Sequence, residues 1–425
     1  MDTKFNIEIK KKNKQLVVID EYTLEENKIT FLFGESGIGK SLISKALIGL
    51  IDSEELTVKI NNQKYDDYLK QQRSIELLKN GFFVFQEPSS HLHPLLTLES
   101  QLNEGLLAEK ELDIEELKRL WQGKSAEELK RFLKVYPKPY RPSGGEKQRV
   151  LCLMALKKMD IVQKAGMGEK GLFVFDEPTG NLDNFYRNIF ISLLIEKYIE
   201  SPFTITFITH DYSIISFIQK TYPNLLKDIR FKELYRKQNK VAEKEFIPSE
   251  YVNWVKSIKV RIPDGERYNK SVLLKFRKDF SVFGKQFTIC DDNNRERETD
   301  LIVEAGDIVY LKAPSGVGKT TFAKIIMGLV KAEKFNFWLN GIEITEKKSA
   351  DIWRNKLWGK VISMVFQHAD EALNQKSKVK EVFDGIKLNH HAEVKDVLLD
   401  LFDPEIITDF FLNKKIDSLS GGQKQ

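Results

Sequence analysis

Short apolar runs, separated by charged or glycine-containing segments, recur along the first half of the chain. Runs of this length that are rich in β-branched and aromatic residues predict β-strands. Several of them are apolar throughout, which is typical of buried strands. The runs that fit this description are Phe5–Ile9, Leu16–Ile19, Ile29–Phe33, Leu56–Ile60, Gly81–Phe85, Leu172–Phe175 and Phe203–Ile208.

Helical patterns occupy the segments between these runs. Leu42–Ile48 and Val150–Leu156 are apolar enough to predict buried helices, whereas the stretch from Leu98 to Tyr136 is helical and charged. Within that stretch, Asp113–Glu116 and Ser125–Glu128 each place an N-cap residue three positions before a glutamate. This spacing is that of a capping box, so we expect separate short helices to begin there.

The segment Gly34–Ser41 reads Gly-Glu-Ser-Gly-Ile-Gly-Lys-Ser and lies between a predicted strand and a predicted helix. In that context the pattern indicates a phosphate-binding P-loop, because its glycines let backbone N–H groups turn toward phosphate oxygens. Lys40 is expected to reach the β- and γ-phosphates and Ser41 to bind Mg²⁺. The alternative is a glycine-rich turn that happens to precede a helix. The candidate nucleotide-binding residues are Gly34, Glu35, Ser36, Gly37, Ile38, Gly39, Lys40 and Ser41.

Composition narrows the class of protein. A chain of 425 residues allows two or three domains, and 41% hydrophobic with 30% charged residues suits a soluble globular protein. The formal charge of +5 is small for this length, so no nucleic-acid partner is expected. Two cysteines, Cys152 and Cys290, exclude a disulfide framework and suggest a reducing compartment. Without a signal-peptide core or a run of about 20 apolar residues, we expect a cytosolic protein whose membrane role requires a partner.

Polar motifs with defined spacing follow the P-loop. Each of these motifs lies at the end of a predicted strand, directly after one, or at the start of a predicted helix. An acidic pair at a strand end is common by itself, so the order of the motifs is more informative than any one of them. In chain order they are Gln86, Ser143-Gly144-Gly145, Asp176-Glu177, Asn181-Leu182-Asp183 and His210.

The chain then repeats part of this order. Ala313–Thr320 is a second P-loop after the apolar run Ile308–Leu311, Phe366-Gln367 is predicted to end a second strand, and Leu419–Gln425 contains a second Ser-Gly-Gly. Matching residues are separated by similar distances, 279 residues between the P-loop lysines, 281 between the glutamines and 277 between the serines. A repeat of this length indicates a duplicated domain rather than a solenoid.

Two further features concern domain organisation. Residues 220–270 are charged and carry no motif, so a partly ordered connector is expected there, with a functional insert as the alternative. The sequence stops at Gln425, although in the first repeat the Asp-Glu strand and His210 lie 33 and 67 residues beyond Ser143. A sheet without a central strand exposes apolar neighbours, so we expect a truncated sequence; a naturally degenerate half is the alternative.

This motif order resembles that of ABC ATPase cassettes, in tandem. The resemblance implies an α/β fold of P-loop NTPase cassettes, each with a RecA-like core, an antiparallel β subdomain and a helical subdomain. We expect a first cassette at residues 1–219, with its helical subdomain at about 88–150, a charged connector at 220–270, and a second cassette at 271–425 that is truncated after its signature motif. In this family two cassettes pair head to tail and hold ATP between one P-loop and the other cassette's signature.

The resemblance also implies a role for each motif of the first cassette. Asp176 is expected to hold Mg²⁺ through water, and Glu177 to polarise the attacking water as general base. His210 is expected to contact the γ-phosphate, and Gln86 to sense the ion and report occupancy. The candidate catalytic residues are therefore Glu177, His210 and Gln86, and the candidate metal ligands are Ser41, Gln86, Asp176, Thr320 and Gln367.

Pairing of the cassettes would create two unequal sites, with Asp183 reaching across the interface. The first P-loop would face the second signature, Ser420, Gly421, Gly422 and Gln423. The first signature, Ser143, Gly144 and Gly145, would face the second nucleotide site, Ser315, Gly316, Val317, Gly318, Lys319, Thr320, Thr321 and Gln367. Pro142 and Glu146 replace the family's usual Leu and Gln, and Ala313 replaces a P-loop glycine. We expect the site that contains Lys40, Glu177 and His210 to be the stronger hydrolytic site.

One loop points to a functional group within the family. Phe85–Pro88 followed by Leu92–Thr97 resembles the corresponding stretch of dipeptide, oligopeptide and nickel importer ATPases. The resemblance implies an ATP-hydrolysing subunit on the inner face of the cell membrane, with permease subunits and a solute-binding protein as partners. The alternative is a soluble tandem ABC protein that acts on ribosomes. Thr179–Asp183 is transporter-like, and Pro248 and Pro263 interrupt the long helical linker of the ribosomal group.

Overall fold

The structure, a computed structural model, describes residues 3–12, 14–88, 91–109, 111, 113–137, 142–180, 182–257, 271–277, 279–282, 285–290, 300–313, 318–331, 335–345, 350–366, 369, 372–384, 393–399, 401–419 and 421–424. The chain divides into two compact units. One consists of Met1–Ile262 with Lys312–Val317, and the other of Pro263–Leu311 with Gly318–Gln425.

The first unit is built on a ten-stranded sheet with the order β5-β4-β1-β2-β10-β9-β3-β8-β7-β6. Strands β9, β3, β8, β7 and β6 are parallel to one another, and the β1, β2, β4 and β5 end is antiparallel. The strands are β1 (Thr3–Lys11), β2 (Lys14–Leu24), β3 (Ile29–Gly34), β4 (Thr57–Ile60), β5 (Gln63–Lys64), β6 (Phe82–Val84), β7 (Leu172–Asp176), β8 (Thr204–Ile208), β9 (Ile229–Lys237) and β10 (Lys240–Glu245).

In the described part of this unit, ten helices cover the sheet and form the helical subdomain. Short 3₁₀ turns at Gly105–Glu109, Gly168–Lys170 and Pro223–Asp228 supplement them. The helices are α1 (Lys40–Leu47), α2 (Tyr65–Leu69), α3 (Gln72–Asn80), α4 (Leu98–Leu102), α5 (Ile114–Leu120), α6 (Ala126–Leu133), α7 (Gly144–Lys164), α8 (Asn184–Glu200), α9 (Ser213–Thr221) and α10 (Pro248–Ser257).

Alternate residues of the parallel strands enter two hydrophobic cores, one on each face of the sheet. On β7, Phe173 and Phe175 pack with α7 and α8, whereas Leu172 and Val174 pack with the α1 to α3 side. All five residues of β7 are buried. Burial on both faces explains why these strands are apolar throughout, and the seven strands predicted from the sequence are confirmed.

The short helices predicted in the charged stretch are also confirmed. Asp113 caps α5 by accepting hydrogen bonds from the backbone N–H groups of Glu115 and Glu116. Ser125 and Glu128 form a reciprocal capping box at the start of α6. Such caps contribute about 1 kcal/mol each because they satisfy N–H groups that have no intrahelical partner.

The expected boundary between the first cassette and a connector at residue 219 is wrong. It falls inside α9, and the residues that follow supply two strands to the sheet. Strand β9 pairs in parallel with β3 over six residues, from Ile29 opposite Ile229 to Gly34 opposite Leu234. Strand β10 returns antiparallel to β9. The alternation of charged and apolar residues in this segment reflects a half-exposed hairpin, which a motif search does not detect.

The second unit contains a four-stranded antiparallel sheet, β14-β11-β15-β16, and a separate hairpin, β12-β13. Its described residues also form four short helices, a π-helical turn at Trp353–Leu357 and 3₁₀ turns at Val379–Phe383 and Ile416–Ser418. Its elements are β11 (Val272–Phe276), β12 (Asp279–Val282), β13 (Lys285–Thr288), β14 (Leu301–Glu304), β15 (Asn336–Leu339), β16 (Ile342–Thr345), α11 (Lys319–Ile326), α12 (Val394–Leu399), α13 (Asp409–Leu412) and α14 (Gly421–Lys424).

The strand predicted to end at Phe366-Gln367 is wrong for the described part of that segment, because residues 363–366 form no strand. Val365 is 82% exposed there. The apolar run before the second P-loop is likewise irregular, and Ile308 is 98% exposed. Among the described residues of this unit there is no counterpart of β7 or β8, so neither run has a parallel neighbour to pair with.

Within the part of the chain that the structure describes, no helix has the length and apolar character needed to cross a membrane.

Candidate active site

The P-loop connects the carboxyl end of β3 to α1, and close contacts explain two of its glycines. Gly34 has a φ of +138°, and a Cβ atom there would lie 2.5 Å from the carbonyl oxygen of Leu234. Gly39 has a φ of +111°, and its Cβ would lie 2.3 Å from Cγ2 of Val17. A side chain at either position would collide with a neighbouring strand, and the positive φ disfavours it further.

Lys40 is the first residue of α1, and its ammonium group turns back into the loop. Nζ donates hydrogen bonds to the carbonyl oxygens of Gly34 at 2.7 Å and Glu35 at 2.9 Å. It also lies 3.3 Å from Nε2 of His210. Burial lowers the pKa of Lys40, and the negative charges of Glu177 and Asp176 oppose that change. The geometry therefore keeps a cation at the centre of the loop.

Ser41 and Asp176 lie side by side at the ends of adjacent elements. Ser41 Oγ donates a hydrogen bond of 2.8 Å to Oδ1 of Asp176, the last residue of β7. Burial raises the pKa of Asp176, and the hydrogen bond from Ser41 offsets part of that rise. An alcohol and a carboxylate in contact supply oxygen ligands of the kind that Mg²⁺ prefers.

Glu177 joins the two other predicted catalytic side chains. Its Oε2 accepts a hydrogen bond of 2.8 Å from Nε2 of Gln86, and its Oε1 lies 3.0 Å from Nε2 of His210. Burial by itself would raise the pKa of Glu177, but the hydrogen bond and charge of His210, with the charge of Lys40, outweigh it, so the pKa is lowered. The carboxylate is therefore ionised near neutral pH, as a general base requires.

The backbone of Glu177 lies in the left-handed region, with a φ of +46°. Its N–H donates to the carbonyl oxygen of Ile208 in the adjacent strand, and its own carbonyl accepts from the N–H of Gly180. A non-glycine residue in this region costs about 1–3 kcal/mol and is enriched at functional sites. Nothing in the residue pattern Asp-Glu-Pro reveals this conformation.

The loop that carries His210 is fastened to α8 by residues that the sequence did not single out. The guanidinium of Arg187 donates to the Asp211 carboxylate and to Ser213 Oγ, and the Asp211 N–H donates to Oγ1 of Thr209 at 3.0 Å. Arg187 is only 4% exposed. Its place one helical turn after Asp183, together with an acid directly after His210, is the signal that could have identified this pair.

The first signature forms the N-terminus of α7, a helix of 21 residues. Ser143 is its N-cap and forms a capping box with Glu146, whose Oε2 accepts from the Ser143 N–H at 2.9 Å. The other oxygen of Glu146 accepts from Nζ of Lys124 at 2.8 Å. Burial alone would raise the pKa of Glu146, but Lys124 and the Ser143 N–H outweigh it and lower the pKa. The negative charge that Glu146 brings to the signature is therefore paired within the helical subdomain.

Asp183 is the N-cap of α8, and its side chain is held by that helix. Its carboxylate accepts a hydrogen bond of 2.9 Å from the Tyr186 N–H. The ring of Tyr186 lies 4.1 Å from the guanidinium carbon of Arg149 on α7, which also faces Trp121 at 4.8 Å. Arg149 thus connects the signature helix with the first turn of α8. The predicted reach of Asp183 across an interface between cassettes stays a prediction.

In the second unit only part of the predicted site lies within the described residues. Gly318 caps α11 with φ 113° and ψ 17°, close to the φ 111° and ψ 10° of Gly39 at the start of α1. Lys319 and Thr320 are exposed, Thr321 is half-buried, and Gly421, Gly422 and Gln423 belong to α14. Ser315, Gly316, Val317, Gln367 and Ser420 lie outside the described residues. Their roles stay predictions.

The structure thus brings together, at the carboxyl ends of β3, β6, β7 and β8, side chains predicted from separate motifs: Lys40, Ser41, Gln86, Asp176, Glu177 and His210. Ser143 and Asp183 instead cap the N-termini of α7 and α8. The sequence profile of the ABC transporter family matches residues 19–180 and 297–425, more than half of the chain. Cassettes of this class combine a P-loop with a downstream signature, as both regions of the chain do. The chain therefore belongs to the ABC transporter family.

Curated relatives come from peptide and peptidoglycan transport. The oligopeptide transport ATP-binding protein AmiF of Streptococcus pneumoniae is 30% identical over 205 residues, which cover 47% of this chain and 61% of AmiF. The peptidoglycan transport ATP-binding protein YejF of Agrobacterium fabrum is 25% identical over 392 residues, which cover 87% of this chain and 67% of YejF. The chain thus spans about three fifths to two thirds of the length of these relatives.

A solved structure resembles nearly the whole chain. It is the archaeal ribosome recycling factor in complex with the archaeal ribosomal stalk protein, with a TM-score of 0.53 and 16% identity, covering 98% of this chain and 73% of that one. At this identity the likeness shows the fold alone, which is that of P-loop cassettes in an α/β architecture.

Proposed function

We propose that the chain binds MgATP and hydrolyses it to ADP and phosphate in its first cassette. The observation that carries the proposal is the convergence of Lys40, Ser41, Asp176, Glu177 and His210 on one sheet edge. Each contacts another of them within 3.3 Å. A lysine, an alcohol, two carboxylates and an imidazole at this spacing match the requirements of phosphoryl transfer.

In this proposal the two neighbouring carboxylates have distinct tasks. Asp176, with Ser41 and Gln86, offers oxygen ligands that would hold Mg²⁺, which when bound neutralises phosphate charge and polarises a phosphoryl oxygen. Glu177 would take a proton from the attacking water while the bond between the γ-phosphorus and the ADP oxygen breaks. His210 contacts Glu177 and Lys40, so it would orient the carboxylate and approach the same phosphoryl group.

Glu177→Gln tests this assignment, because glutamine preserves shape and hydrogen bonding but accepts no proton. We expect steady-state ATPase activity to fall by about 10²–10³-fold while binding of a fluorescent ATP analogue persists. Glu55→Gln, which changes an exposed glutamate outside the site, serves as the matched control and should leave activity unchanged. Retention of activity in Glu177→Gln would overturn the proposed role.

We further propose that two cassettes pair so that Lys40 faces the Ser420–Gln423 signature, and that the cycle energises a membrane importer. Peptides are the favoured cargo because AmiF is named for oligopeptide transport and YejF for peptidoglycan transport. Nickel-like small solutes are the second class within the same group. The partners would be permease subunits and a solute-binding protein, and the chain would lie at the inner face of the membrane.

Uptake in cells that carry Glu177→Gln at the chromosomal locus tests the transport role. We expect uptake of a labelled oligopeptide to fall to background, with the Glu55→Gln strain behaving as wild type. Loss of nickel uptake alone would reassign the cargo. Unchanged uptake of both, together with co-sedimentation of the protein with ribosomes, would contradict the importer proposal.

A further inference from the structure

A cluster of four aromatic rings packs behind the active site. We call it the aromatic stack and define it as Phe33, Tyr212, Phe246 and Tyr251. The ring of Tyr212 is stacked on Phe33, with centroids 4.9 Å apart, and on Tyr251, with centroids 4.2 Å apart and planes within 19°. Phe246 lies 4.9 Å from Phe33 and 5.2 Å from Tyr212.

Two members of the stack lie close along the chain to residues of the candidate active site. Phe33 is completely buried and precedes Gly34, whose carbonyl oxygen accepts the hydrogen bond of Lys40. Tyr212 follows His210 by two residues, in the loop between β8 and α9. The stack therefore packs the end of β3, where the P-loop begins, against the loop that carries His210.

The other two members lie within residues 220–270, for which the sequence predicts a connector. Phe246 directly follows β10, and its N–H donates to the carbonyl oxygen of Phe231 at 2.8 Å. Tyr251 lies in the first half of α10. Because Phe246 is 7% exposed and anchored to β9, α10 has a fixed attachment from which Tyr251 reaches Tyr212.

The His210 loop is held by polar contacts on one side and by rings on the other. Arg187 fixes Asp211, and Asp211 in turn accepts from the Ser213 N–H at 3.0 Å. These bonds constrain Asp211, and the backbone of Tyr212 is held at the start of α9, where its carbonyl oxygen accepts from the Ile215 N–H at 3.2 Å. The ring contacts add a second constraint, on the side chain of Tyr212. His210 Nε2 lies 3.0 Å from Oε1 of Glu177, so a small displacement of the loop changes this contact.

We propose that α10 is a positioning element of the ATPase site, which acts by stacking Tyr251 on Tyr212 and so holding the His210 loop. This inference rests on the proposed hydrolysis of ATP by the first cassette. Tyr251 touches neither nucleotide nor reacting atoms in this scheme. It is a positioning residue, and its removal should slow catalysis more than it weakens binding.

Tyr251→Ala and Tyr251→Phe in the full chain test the inference. We expect kcat for ATP to fall about fivefold in Tyr251→Ala, with KM within twofold of wild type, because a lost ring contact loosens the loop without touching the phosphate cradle. Tyr251→Phe keeps the ring and should restore kcat. Val252→Ala, a change at a 46% exposed neighbour on the same helix, is the matched control and should behave as wild type.

Hydrogen exchange supplies a readout that does not need catalysis. The Asp211 and Ser213 amides donate within the His210 loop, so we expect their exchange to quicken by about threefold or more in Tyr251→Ala and to stay unchanged in Tyr251→Phe. Exchange in the middle of α7 should be the same in all variants. This pattern separates loosening of the loop from general destabilisation.

The two proposals fail in different ways. A wild-type protein without ATPase activity, or one whose activity survives Glu177→Gln, would overturn the proposed function itself. If activity depends on Glu177 while Tyr251→Ala matches wild type in kcat and in exchange of the His210 loop, the positioning role alone is wrong. Equal losses in Tyr251→Ala and Tyr251→Phe would also contradict it, because the proposal assigns the effect to the ring.

Discussion

The two P-loop regions of the chain begin their helices in the same way and differ in the strand before the loop. Gly39 and Gly318 have nearly equal backbone angles at the start of α1 and α11. In the first region β3 is fully buried between β8 and β9. In the second region the run Ile308–Leu311 forms no strand, and Tyr310 is 85% exposed.

The difference shows which features of a P-loop are local. A glycine with a positive φ ahead of a helix needs only the loop sequence and the helix itself. A strand needs neighbours that pair with its N–H and C=O groups and cover its apolar side chains. Strand β3 has such neighbours on both edges, through β8 and β9. An apolar run of strand length is therefore a necessary condition for this element but not a sufficient one.

Hydrogen exchange should give the largest contrast between the two regions. We expect the amides of Ile29–Gly34 to exchange at least about a thousandfold more slowly than those of residues 308–311, because the first set is hydrogen-bonded in a buried sheet. Exchange measured by mass spectrometry on the intact chain checks this. Comparable protection of both segments would break the comparison.

Removal of the two P-loop lysines should give the next largest contrast. We expect Lys40→Ala to lower ATPase activity by about 10²-fold or more, because a buried cation is lost from beside Glu177 and His210. Lys319→Ala should lower it by less than about tenfold, since Lys319 is exposed. The measurement is steady-state hydrolysis under saturating MgATP. A greater loss from Lys319→Ala would reverse the assignment of the stronger site.

Substitutions at the first residue of the two P-loops should change the free energy of unfolding by different amounts. Gly34→Ala places a methyl group 2.5 Å from a carbonyl oxygen at a φ of +138°, so we expect a loss of about 1–3 kcal/mol or more. Ala313→Gly at the matching position should change stability by less than about 1 kcal/mol. Thermal unfolding followed by circular dichroism compares them. Equal shifts in Tm would argue against a close approach of strand β9 at Gly34.

The smallest change in stability is expected for a substitution in the first signature. Glu146→Gln should keep the cap of α7 but lose the ion pair with Lys124, at a cost of about 1 kcal/mol or less. Since the pKa of Glu146 is lowered in the folded state, its contribution is present above the unfolded pKa and is lost as the pH falls through the folded pKa. The Tm difference between wild type and variant should thus shrink as the pH falls below about 4.3, the unfolded pKa of glutamate, and vanish below the lowered folded pKa. A difference that grows at low pH would contradict the pairing.

Particular residues show which parts of the candidate site could be predicted from the sequence alone. Gln86, Glu177 and His210 belong to motifs separated by up to 124 residues, yet their order was enough to predict that they meet. Arg187 and Tyr212 were not predicted, because their roles depend on contacts with single side chains from other elements. The prediction of a connector at residues 220–270 is wrong for a related reason. Strand β9 is recognised as a strand only by its pairing with β3.

The sequence by itself determined the family, the identity of the candidate catalytic side chains and the local starts of helices, because all three depend on residue type at short spacing. Tertiary structure alone decided the left-handed backbone of Glu177, the pairing of Glu146 with Lys124 and the stacking of Tyr251 on Tyr212. It also decided whether an apolar run becomes a strand. These outcomes depend on groups brought together by folding, whose contacts no local pattern encodes.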